Sequence, residues 1–524
     1  PAGLPWQAVD MFRAYLGYAR QLRLPYTTSR VQTLLMARPT LLTTLWEFFQ
    51  TRFGPDRVEK RAQKSKALAD QIETQIRGIN NHDLDRVYRT LFNLMSSTLR
   101  TNFYRPDRTE HYISFKIDCA SVKFMPSPRL VYEIYVHHRD MEGVHLRGGS
   151  IARGGIRWSD RQDYRREILD LATTQRVKNV LIVPEGAKGG FYIKQPIPDR
   201  AERRRRADEL YQILIRGLLD VTDNVIDGKV VQPDRVVVHD GKDPYLVVAA
   251  DKGTAHLSDT ANGISRDYGF WLDDAFASGG SNGYDHKKVG ITARGGWMTV
   301  RRLFRENGLE PETDNFTVAG IGDTGGDVFG NGVIEHPTMK LVAAFNHLHI
   351  FLDPNPDPKK SYDERMRLFE ACKGWDAYDT STLSEGGGIF SRQSKSIPLT
   401  PQIQELLGVL KDELPVDTVI RLILRLNVDL LWNGGIGTYV KASHETHTDA
   451  GDPPNDHVRV NASELRCRAV GEGGNLGLTQ AARVEFALAG GNINTDFIDN
   501  SGGVDMSDHE VNLKILLNPM VSEG

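Results

Sequence analysis

The sequence predicts an α/β protein with a helical N-terminal part, and three observations indicate this. Apolar residues recur at helical spacing over residues 1–105, where glycine is scarce. Short β-rich runs alternate with helical stretches over residues 106–290. Glycine becomes frequent over residues 291–524, where a second α/β pattern begins. We therefore expect a helical flanking segment, a mixed-sheet domain and a second α/β domain, divided at residues 105 and 290.

Two sets of apolar residues in the first region repeat every three or four positions, which predicts helices with one buried face. The sets are Val9, Phe12, Leu16 and Ala19, and then Leu41, Leu45, Phe48 and Phe49. No residue pattern in this region points to chemistry. We expect it to be structural, as a helical cap or a dimer surface.

The second region alternates between predicted strands and predicted helices. The strands are Ile113–Ile117, Leu130–Val136, Asn179–Val183, Arg235–Val238 and Leu246–Ala250. The helices are Arg165–Gln175 and Glu202–Thr222. The basic run Arg203–Arg206 has no interleaved aromatic residue, so it is predicted to be a solvated helix face.

Composition narrows the function classes. The chain has 65 Lys and Arg against 68 Asp and Glu, a net charge of -3, which argues against a nucleic-acid binder and a polybasic membrane anchor. The three cysteines are widely separated, so neither a disulfide framework nor a CxxC metal site is expected, and a reducing cytoplasmic setting is predicted. The pair His347-x-His349 lacks a nearby third ligand, so no metal site is predicted.

Neither a membrane-spanning run nor a signal peptide is apparent in the sequence. The chain begins at Pro1 without a Met, inside an amphipathic pattern. We therefore expect it to be a piece of a longer protein.

Residues 315–325, NFTVAGIGDTG, predict a dinucleotide-binding turn. The short apolar strand Phe316–Ala319 runs into Gly320-x-Gly322-x-x-Gly325, and a helix could follow. The first glycine would allow the tight turn, the second the approach of a pyrophosphate and the third close packing of helix on strand. A lone GxGxxG is a weak signal, and the preceding strand strengthens it.

The next strand, Lys340–Phe345, should end in a residue that binds the ribose of the dinucleotide. That residue is Asn346, which can donate a hydrogen bond to a ribose hydroxyl but lacks the carboxylate that repels a 2′-phosphate. No Arg or Lys follows closely to hold such a phosphate. We therefore predict NAD rather than NADP.

Lys188 lies in the segment GAKGG, which predicts a reactive lysine in a turn after a buried strand. Crowding by Arg153, Arg157 and Lys178, together with burial, would lower its pKa and allow acid–base work near neutral pH. The alternative is an exposed lysine in a flexible turn. Asp251 follows the strand Leu246–Ala250 and could carry a proton to and from a nitrogen. It could equally cap the next helix.

These motifs, taken in order, resemble those of glutamate dehydrogenases, and more closely the large bacterial NAD-dependent class. The resemblance covers about residues 145–515. It rests on RGGIRWS (153–159), VKNVLIVPEGAKGG (177–190), AADKGT (249–254), ITARGG (291–296), EGGN (472–475) and NSGGVDMS (500–507). Arg153 stands where the family has a lysine and keeps the positive charge.

The resemblance implies a two-domain amino acid dehydrogenase fold, with a mixed-sheet substrate-binding domain over 106–290. A Rossmann-like NAD-binding domain with a segment that returns to the catalytic cleft would occupy 291–524. The implied catalytic residues are Lys188 and Asp251, and the implied substrate-binding residues are Arg153, Lys178, Lys288 and Ser507. The residues implied to approach the cofactor are Gly320, Gly322, Asp323, Thr324, Gly325, Asn346, Thr292, Asn475 and Asn500.

The implied reaction is the reversible oxidative deamination of L-glutamate to 2-oxoglutarate and ammonia. Hydride passes from Cα of glutamate to NAD, Lys188 activates the attacking water, and Asp251 moves protons on the nitrogen. We also expect a homo-oligomer that has small molecules as its ligands.

Two alternatives stay open. A related dehydrogenase for leucine or phenylalanine would share the lysines and the aspartate, but Arg153 would then be an unpaired cation in an apolar pocket, which is costly. A non-catalytic nucleotide sensor would have no use for a proton shuttle.

Overall fold

The structure is a computed structural model that describes residues 3–56, 58–106, 110–180, 186–251, 253–254 and 256–523. Within these ranges, the side chains of residues 174–180, 200, 250 and 522 are not described. Helices that combine the length and the apolar character needed to cross a membrane do not occur in this part of the chain.

The chain forms two compact units. The first contains residues 1–283 and 508–524, and the second contains residues 284–507. The boundary on the C-terminal side falls inside the last helix. The division into three parts at residues 105 and 290 stays a prediction.

The first unit has eight α-helices and nine strands in its described part up to residue 283. The helices are α1 (Trp6–Gln21), α2 (Thr28–Met36), α3 (Pro39–Phe53), α4 (Arg61–Arg77), α5 (His82–Ser97), α6 (Tyr164–Val180), α7 (Arg200–Leu219) and α8 (Ser258–Asp267). The strands are β1 (Thr98–Thr101), β2 (Tyr112–Asp118), β3 (Tyr132–His138), β4 (Met141–Arg147), β5 (Ala152–Ser159), β6 (Ala187–Ile193), β7 (Asn224–Ile226), β8 (Lys229–Val231) and β9 (Leu246–Ala250).

Seven of these strands form one mixed sheet in the order β1-β2-β3-β4-β6-β5-β9. Strands β1 to β4 and the β4–β6 pair are antiparallel, whereas β5 is parallel to both β6 and β9. The mixed sheet expected for this region is therefore confirmed, and its parallel part contains the predicted catalytic residues.

The N-terminal helices cover one face of this sheet. Tyr15 of α1 stacks on Phe115 of β2 with ring centroids 4.0 Å apart, and the second predicted apolar set on α3 is buried. The first predicted set is partly wrong, because Val9 is 39% exposed. The buried face of α1 is turned by about one position, towards Met11, Tyr15 and Tyr18.

Helices α7 and α8 contribute to a second core, which also contains Val511 from the C-terminal helix. In the predicted basic face of α7, Arg203, Arg204 and Arg205 are exposed, which confirms a solvated surface. The helices and strands predicted at 113–117, 130–136, 165–175, 202–222 and 246–250 are confirmed with small shifts at their ends.

Two strand predictions in this unit need correction. Asn179 and Val180 are the last two residues of helix α6, and the rest of the predicted run, 181–183, lies outside the described residues. The predicted strand Arg235–Val238 is a turn followed by irregular chain, in which Arg235 has a φ of 54°. Its side chain donates to the carbonyl of Tyr104 at 3.2 Å, so side-chain bonding replaces strand pairing.

The second unit has a core of parallel strands. Its helices are α9 (His286–Val289), α10 (Ile291–Glu306), α11 (Asp327–Val333), α12 (Pro358–Glu370), α13 (Pro401–Leu407), α14 (Val416–Leu424), α15 (His447–Ala450), α16 (Gln480–Leu488), α17 (Asp496–Asp499) and α18 (Ser501–Glu523), whose last residues belong to the first unit. Its strands are β10 (Phe316–Ile321), β11 (Met339–Phe345), β12 (His349–Leu352), β13 (Gly388–Ser391), β14 (Ser396–Pro398), β15 (Glu413–Pro415), β16 (Leu430–Asn433), β17 (Val440–Lys441), β18 (Val460–Asn461), β19 (Ala469–Glu472) and β20 (Asn492–Ile493).

The main sheet of this unit has the order β13-β12-β11-β10-β16-β19-β20. Strands β11, β10, β16, β19 and β20 are parallel, and β12 and β13 are antiparallel additions at one edge. Because β11 and β16 lie on opposite sides of β10, the carboxyl end of β10 is a topological switch point, where open α/β sheets bind ligands. The predicted second α/β unit is thus confirmed.

Candidate active site

Strand pairing places the predicted catalytic residues on one face of the first sheet. Ile156 of β5 pairs with Gly189 of β6 on one side and with Ala250 of β9 on the other. Side chains of successive strand residues point to opposite faces. Lys188, Arg157 and Asp251 are each one position away from this row, and they share the opposite face. Lys188 is the second residue of strand β6. The prediction that it lies in a turn after a buried strand is therefore wrong.

A series of charged hydrogen bonds connects Lys188, Asp251 and Arg157. The Lys188 ammonium donates to the Asp251 carboxylate. Arg157 donates to the same carboxylate, from Nη2 to Oδ1 at 3.1 Å and from Nε to Oδ2 at 3.4 Å. Its Nη1 donates to Oε1 of Glu167 on α6 at 3.0 Å, and Ser159 Oγ donates to the other Glu167 oxygen at 2.6 Å. Both oxygens of Asp251 and both oxygens of Glu167 thus accept a hydrogen bond.

The backbone after β9 is held by Thr254. The amide of Asp251 donates to Thr254 Oγ1 at 3.2 Å, and the hydroxyl of Thr254 donates to the Ile156 carbonyl at 2.7 Å. Helix α8 begins after Leu257, which is its N-cap residue. Asp251 therefore does not cap the next helix, and its side chain is available to the Lys188 group.

Burial and charge act together on the proton affinities of this group. Burial is the largest influence on Lys188 and lowers its pKa, while Asp251 opposes and Arg157 adds to the lowering. The Lys188 side chain is only 4% exposed, so the alternative of an exposed lysine is wrong. Burial works to raise the pKa of Asp251, but Lys188 and Arg157 outweigh it and hold that pKa well below its usual range.

Arg153, the predicted ligand of the substrate side-chain carboxylate, has a carboxylate partner within the protein. It lies on the same face of β5 as Arg157, and its Nε forms an ion pair with Asp508 of α18. Both side chains are buried. The assumption that an apolar substrate would leave Arg153 unpaired is therefore wrong.

The predicted roles of Lys178, Lys288 and Ser507 in binding the substrate stay predictions. Lys178 belongs to α6, but its side chain is outside the described residues. In the second unit, Lys288 is exposed on the short helix α9, and Ser507 is buried in α18. Thr292 is the second residue of α10, and a Cβ at Gly503 would collide with its hydroxyl oxygen.

The glycine-rich turn follows β10 at the switch point of the second sheet. Gly320 is inside the strand, Gly322 follows it, and helix α11 begins at Asp327. A Cβ at Gly322 would collide with Phe329, so the absence of a side chain lets α11 pack directly on the turn. Trp375 Nε1 donates to the Gly322 carbonyl at 3.0 Å, and Thr324 Oγ1 donates to the Lys373 carbonyl at 2.9 Å.

Asn346 ends β11 as predicted, but its amide is engaged within the protein. Its Nδ2 donates to Asp323 Oδ2 at 2.9 Å, and its Oδ1 accepts from the backbone amides of Leu348 and His349. A carboxylate is thus present at this strand end after all, supplied by Asp323. The expectation that no arginine lies nearby is wrong, because Arg392 donates to the Asn346 carbonyl at 2.9 Å.

Two predicted nicotinamide-side residues lie together. Asn500 Nδ2 donates to Asn475 Oδ1 at 2.7 Å and to the Gly474 carbonyl at 2.8 Å. Behind the EGGN segment, Arg483 donates to both oxygens of Glu472. Asp496 accepts from the Leu476 amide at 2.8 Å, and burial raises the pKa of Glu472 to about 7. The sequence indicated the asparagines but not this buried acidic cluster.

These features fit a dinucleotide at the carboxyl edge of the second sheet, with the turn, Asp323 and Asn346 grouped at the switch point. In the described part of the chain, His, Cys, Asp and Glu side chains form no group of three that could hold a metal ion. Sequence patterns also missed Ser159, Glu167, Arg392 and Asp508 as neighbours of the predicted site residues. Packing brings Glu167 and Arg392 there, whereas the other two have a local signal, because Ser159 ends the RGGIRWS motif and Asp508 follows Ser507.

Comparison with known proteins gives consistent matches. Residues 71–524 match the family described as bacterial NAD-glutamate dehydrogenase, catalytic domain, and residues 1–55 match glutamate dehydrogenase, helical motif 3. The chain is 51% identical over 538 residues to the NAD-specific glutamate dehydrogenase of Pseudomonas aeruginosa, covering 100% of this chain and 33% of that protein. It is 50% identical over 545 residues to the protein of the same name from Mycobacterium tuberculosis, and this alignment covers 100% of this chain and 34% of that protein.

The chain thus spans about a third of the length of these curated relatives. A crystal structure of glutamate dehydrogenase from Plasmodium falciparum is similar with a TM-score of 0.47 and 13% identity, over 95% of this chain and 83% of that one. The family match covers residues 71–524, which is most of the chain. The chain therefore belongs to the catalytic-domain family of the bacterial NAD-glutamate dehydrogenases.

Proposed function

We propose that this chain is the catalytic core of an enzyme that reversibly deaminates L-glutamate to 2-oxoglutarate and ammonia with NAD. The observation that carries the proposal is the buried contact between the Lys188 ammonium and the Asp251 carboxylate. A buried lysine with a lowered pKa gives up its proton more readily than a free lysine and can then act as a base. Two relatives that are 51% and 50% identical to this chain over the aligned residues share a name that supports glutamate and NAD.

In this proposal, neutral Lys188 takes a proton from the water that attacks the imine carbon of the substrate. Asp251 exchanges protons with the substrate nitrogen, and Thr254 fixes the backbone from which it acts. The bound dinucleotide would supply the hydride acceptor for Cα of the substrate. Burial of Lys188 on an interior strand keeps bulk water away from the base.

The substrate carboxylates require cations and donors in exchange for lost water. We assign the side-chain carboxylate to Arg153, with Ser507 as a hydroxyl donor, and the α-carboxylate to Lys178. Lys288 is a further substrate contact in this assignment. These roles follow from the matching motifs, and the burial of Arg153 on the same face of β5 as Arg157 supports the first of them.

The cofactor assignment uses the carboxyl edge of the second sheet. The turn residues Gly320, Gly322, Asp323, Thr324 and Gly325 would hold the pyrophosphate side, with Asn346 near the adenosine ribose. Thr292, Asn475 and Asn500 would approach the nicotinamide side. The Asp323 carboxylate at the end of β11 supports NAD, because it would repel the 2′-phosphate of NADP.

One observation favours a second candidate function. Because Asp508 already neutralises Arg153, the pocket could accept an apolar side chain without leaving a buried cation unpaired. An amino acid dehydrogenase of the leucine or phenylalanine type would then be possible. The names of the relatives favour glutamate, and substrate preference decides between the two.

The test is NADH oxidation with ammonium and either 2-oxoglutarate or 4-methyl-2-oxopentanoate, followed by absorbance. Preference for 2-oxoglutarate supports the proposal, and preference for the branched substrate supports the second candidate. Binding of NADH without turnover of either oxoacid would indicate a nucleotide sensor. NADPH in place of NADH tests the cofactor assignment in the same assay.

We further propose that the protein is a cytoplasmic homo-oligomer. The cysteines Cys119, Cys372 and Cys467 are free, as suits a reducing compartment. Light scattering on the purified protein gives the oligomeric state, and fractionation of cells gives the compartment. A monodisperse monomer, or recovery outside the cytoplasm, would contradict this part of the proposal.

A further inference from the structure

We propose that Glu167, acting through Arg157, is a positioning residue that sets the charge balance at the Lys188–Asp251 pair. The roles of the pair rest on the proposed function, whereas the contacts themselves do not. The sequence predicted Arg157 only as one of the cations that crowd Lys188, and it gave Glu167 no role. Both residues act on the pair as protein groups that do not contact the substrate.

Arg157 is the bridge between two carboxylates. Its Nη1 donates to Glu167 at 3.0 Å, and its Nη2 and Nε donate to Asp251 at 3.1 and 3.4 Å. Glu167 is itself fixed, because Ser159 donates to its second oxygen at 2.6 Å. Ser159 and Arg157 belong to β5 and Glu167 belongs to α6, so the packing of this helix on the sheet determines where the guanidinium lies.

The four charged groups balance each other in a partly desolvated place. Lys188 and Arg157 are positive, and Asp251 and Glu167 are negative. Their side chains are between 4% and 18% exposed, so their mutual interactions are weakly screened. Removing one charge therefore leaves a net charge beside the remaining groups.

Few other charged groups face Lys188. Strand β4 places Leu146 opposite Lys188 in the ladder. On β5, Arg153 is paired with Asp508. Helix α6 also contains Lys178, whose side chain is outside the described residues. Asp251, Arg157 and Glu167 are thus the described groups that determine the charge around the ammonium.

The two positioning residues should act in opposite directions. Arg157 lowers the pKa of Lys188 by repulsion, and Glu167 raises it by attraction. Arg157→Gln should therefore make Lys188 harder to deprotonate, and Glu167→Gln should make it easier. If the two residues had a purely structural role, both variants would lose activity, and the pKa of Lys188 would not shift in opposite directions.

The experiment measures kcat/KM for glutamate oxidation against pH in four proteins. If neutral Lys188 is the base, the acidic limb should move up by about 1 pH unit in Arg157→Gln and down by about 1 unit in Glu167→Gln. Arg161→Gln is the matched control. Arg161 lies on the same segment, pairs with Asp163 and is 51% exposed, so its removal should leave the limb unchanged.

A second readout does not depend on activity. The rate at which acetic anhydride labels Lys188, measured by mass spectrometry against pH, reports the pKa of the ammonium directly. Opposite shifts in labelling support the inference even if the protein proves inactive on glutamate, in which case only the proposed function fails. Shifts of the same sign, or shifts no larger than in the control, would overturn it.

If Glu167→Gln does not fold, the charge-retaining variants complete the test. Arg157→Lys should keep the labelling profile within about 0.5 unit of the parent, while Arg157→Gln moves it by about 1 unit. Glu167→Asp should likewise stay near the parent. Equal shifts in Arg157→Lys and Arg157→Gln would show that shape rather than charge matters, against the inference.

Discussion

Lys188 is the residue on which the proposed chemistry depends most directly. We expect Lys188→Ala to lower kcat by about 10²–10⁴-fold, the range for general acid–base catalysis. The fold should survive, because Asp251 keeps Arg157 as its partner. Turnover and thermal unfolding, measured on the same samples, separate the two effects. Activity within tenfold of the parent would contradict the catalytic assignment.

Arg153 has two partners to consider, the substrate and Asp508. Arg153→Leu should raise KM for glutamate by the equivalent of about 2–5 kcal/mol, but it also leaves the Asp508 carboxylate buried without its cation. The double variant Arg153→Leu/Asp508→Leu removes that penalty. If Arg153 binds the substrate carboxylate, the double variant regains thermal stability but keeps the raised KM. Recovery of KM would mean that Arg153 serves only to neutralise Asp508.

Asp323 is expected to decide the cofactor preference. The parent should prefer NAD, and Asp323→Asn should narrow the NAD/NADP ratio of kcat/KM about tenfold, or about 1.4 kcal/mol of lost repulsion. Gly325 and Asn346 donate to different oxygens of Asp323, so an amide, which has a single acceptor oxygen, can keep only one of these two hydrogen bonds. Arg392→Gln is the counterpart and should disfavour NADP further. Comparable use of NAD and NADP by the parent would refute the assignment.

At the scale of elements, the close spacing of β5 and β6 sets the geometry of the catalytic group. A Cβ at Gly154 would collide with the Ala187 carbonyl. We expect Gly154→Ala to lower the free energy of unfolding by about 1–3 kcal/mol, the cost of overpacking. Gly263→Ala in α8, where a Cβ meets nothing within 4 Å, should instead stabilise by up to about 1 kcal/mol. Denaturant unfolding gives the free energy of unfolding of both variants. Equal changes in the two variants would contradict the claim that close packing of β5 on β6 excludes a side chain at Gly154.

Elements with a strong local pattern were predictable. The strands at Leu246–Ala250 and Phe316–Ile321 have apolar runs between polar or glycine boundaries, and they appear where expected. The run at 235–238 has the same apolar character but lacks a partner strand. Local propensity does not specify pairing, which depends on long-range contacts. The same limit explains why Glu167 and Arg392 were missed, since the fold alone brings them to the site.

The first unit is built from two separate stretches of the sequence, residues 1–283 and 508–524. Lys514 of α18 donates to the carbonyls of Asp274 and Gly279, and the Gly279 amide donates to Glu510 at 2.8 Å. Val511 joins the core of α7 and α8, and Asp508 pairs with Arg153. Residues 508–524 are therefore part of this unit, although 224 residues of the other unit separate them from residue 283 in the sequence.

The buried carboxylates behind the EGGN segment have a calorimetric consequence. Glu472 has a pKa of about 7 in the folded protein against 4.5 as its ordinary value, so between these pH values the folded state binds a proton that the unfolded chain lacks. This stabilisation is complete below pH 4.5 and is lost as pH rises through 7. Refolding near pH 6 should therefore absorb protons, and its measured heat should vary with the ionisation enthalpy of the buffer. In Glu472→Gln this buffer dependence should decrease, and an undiminished dependence would contradict the assignment to Glu472.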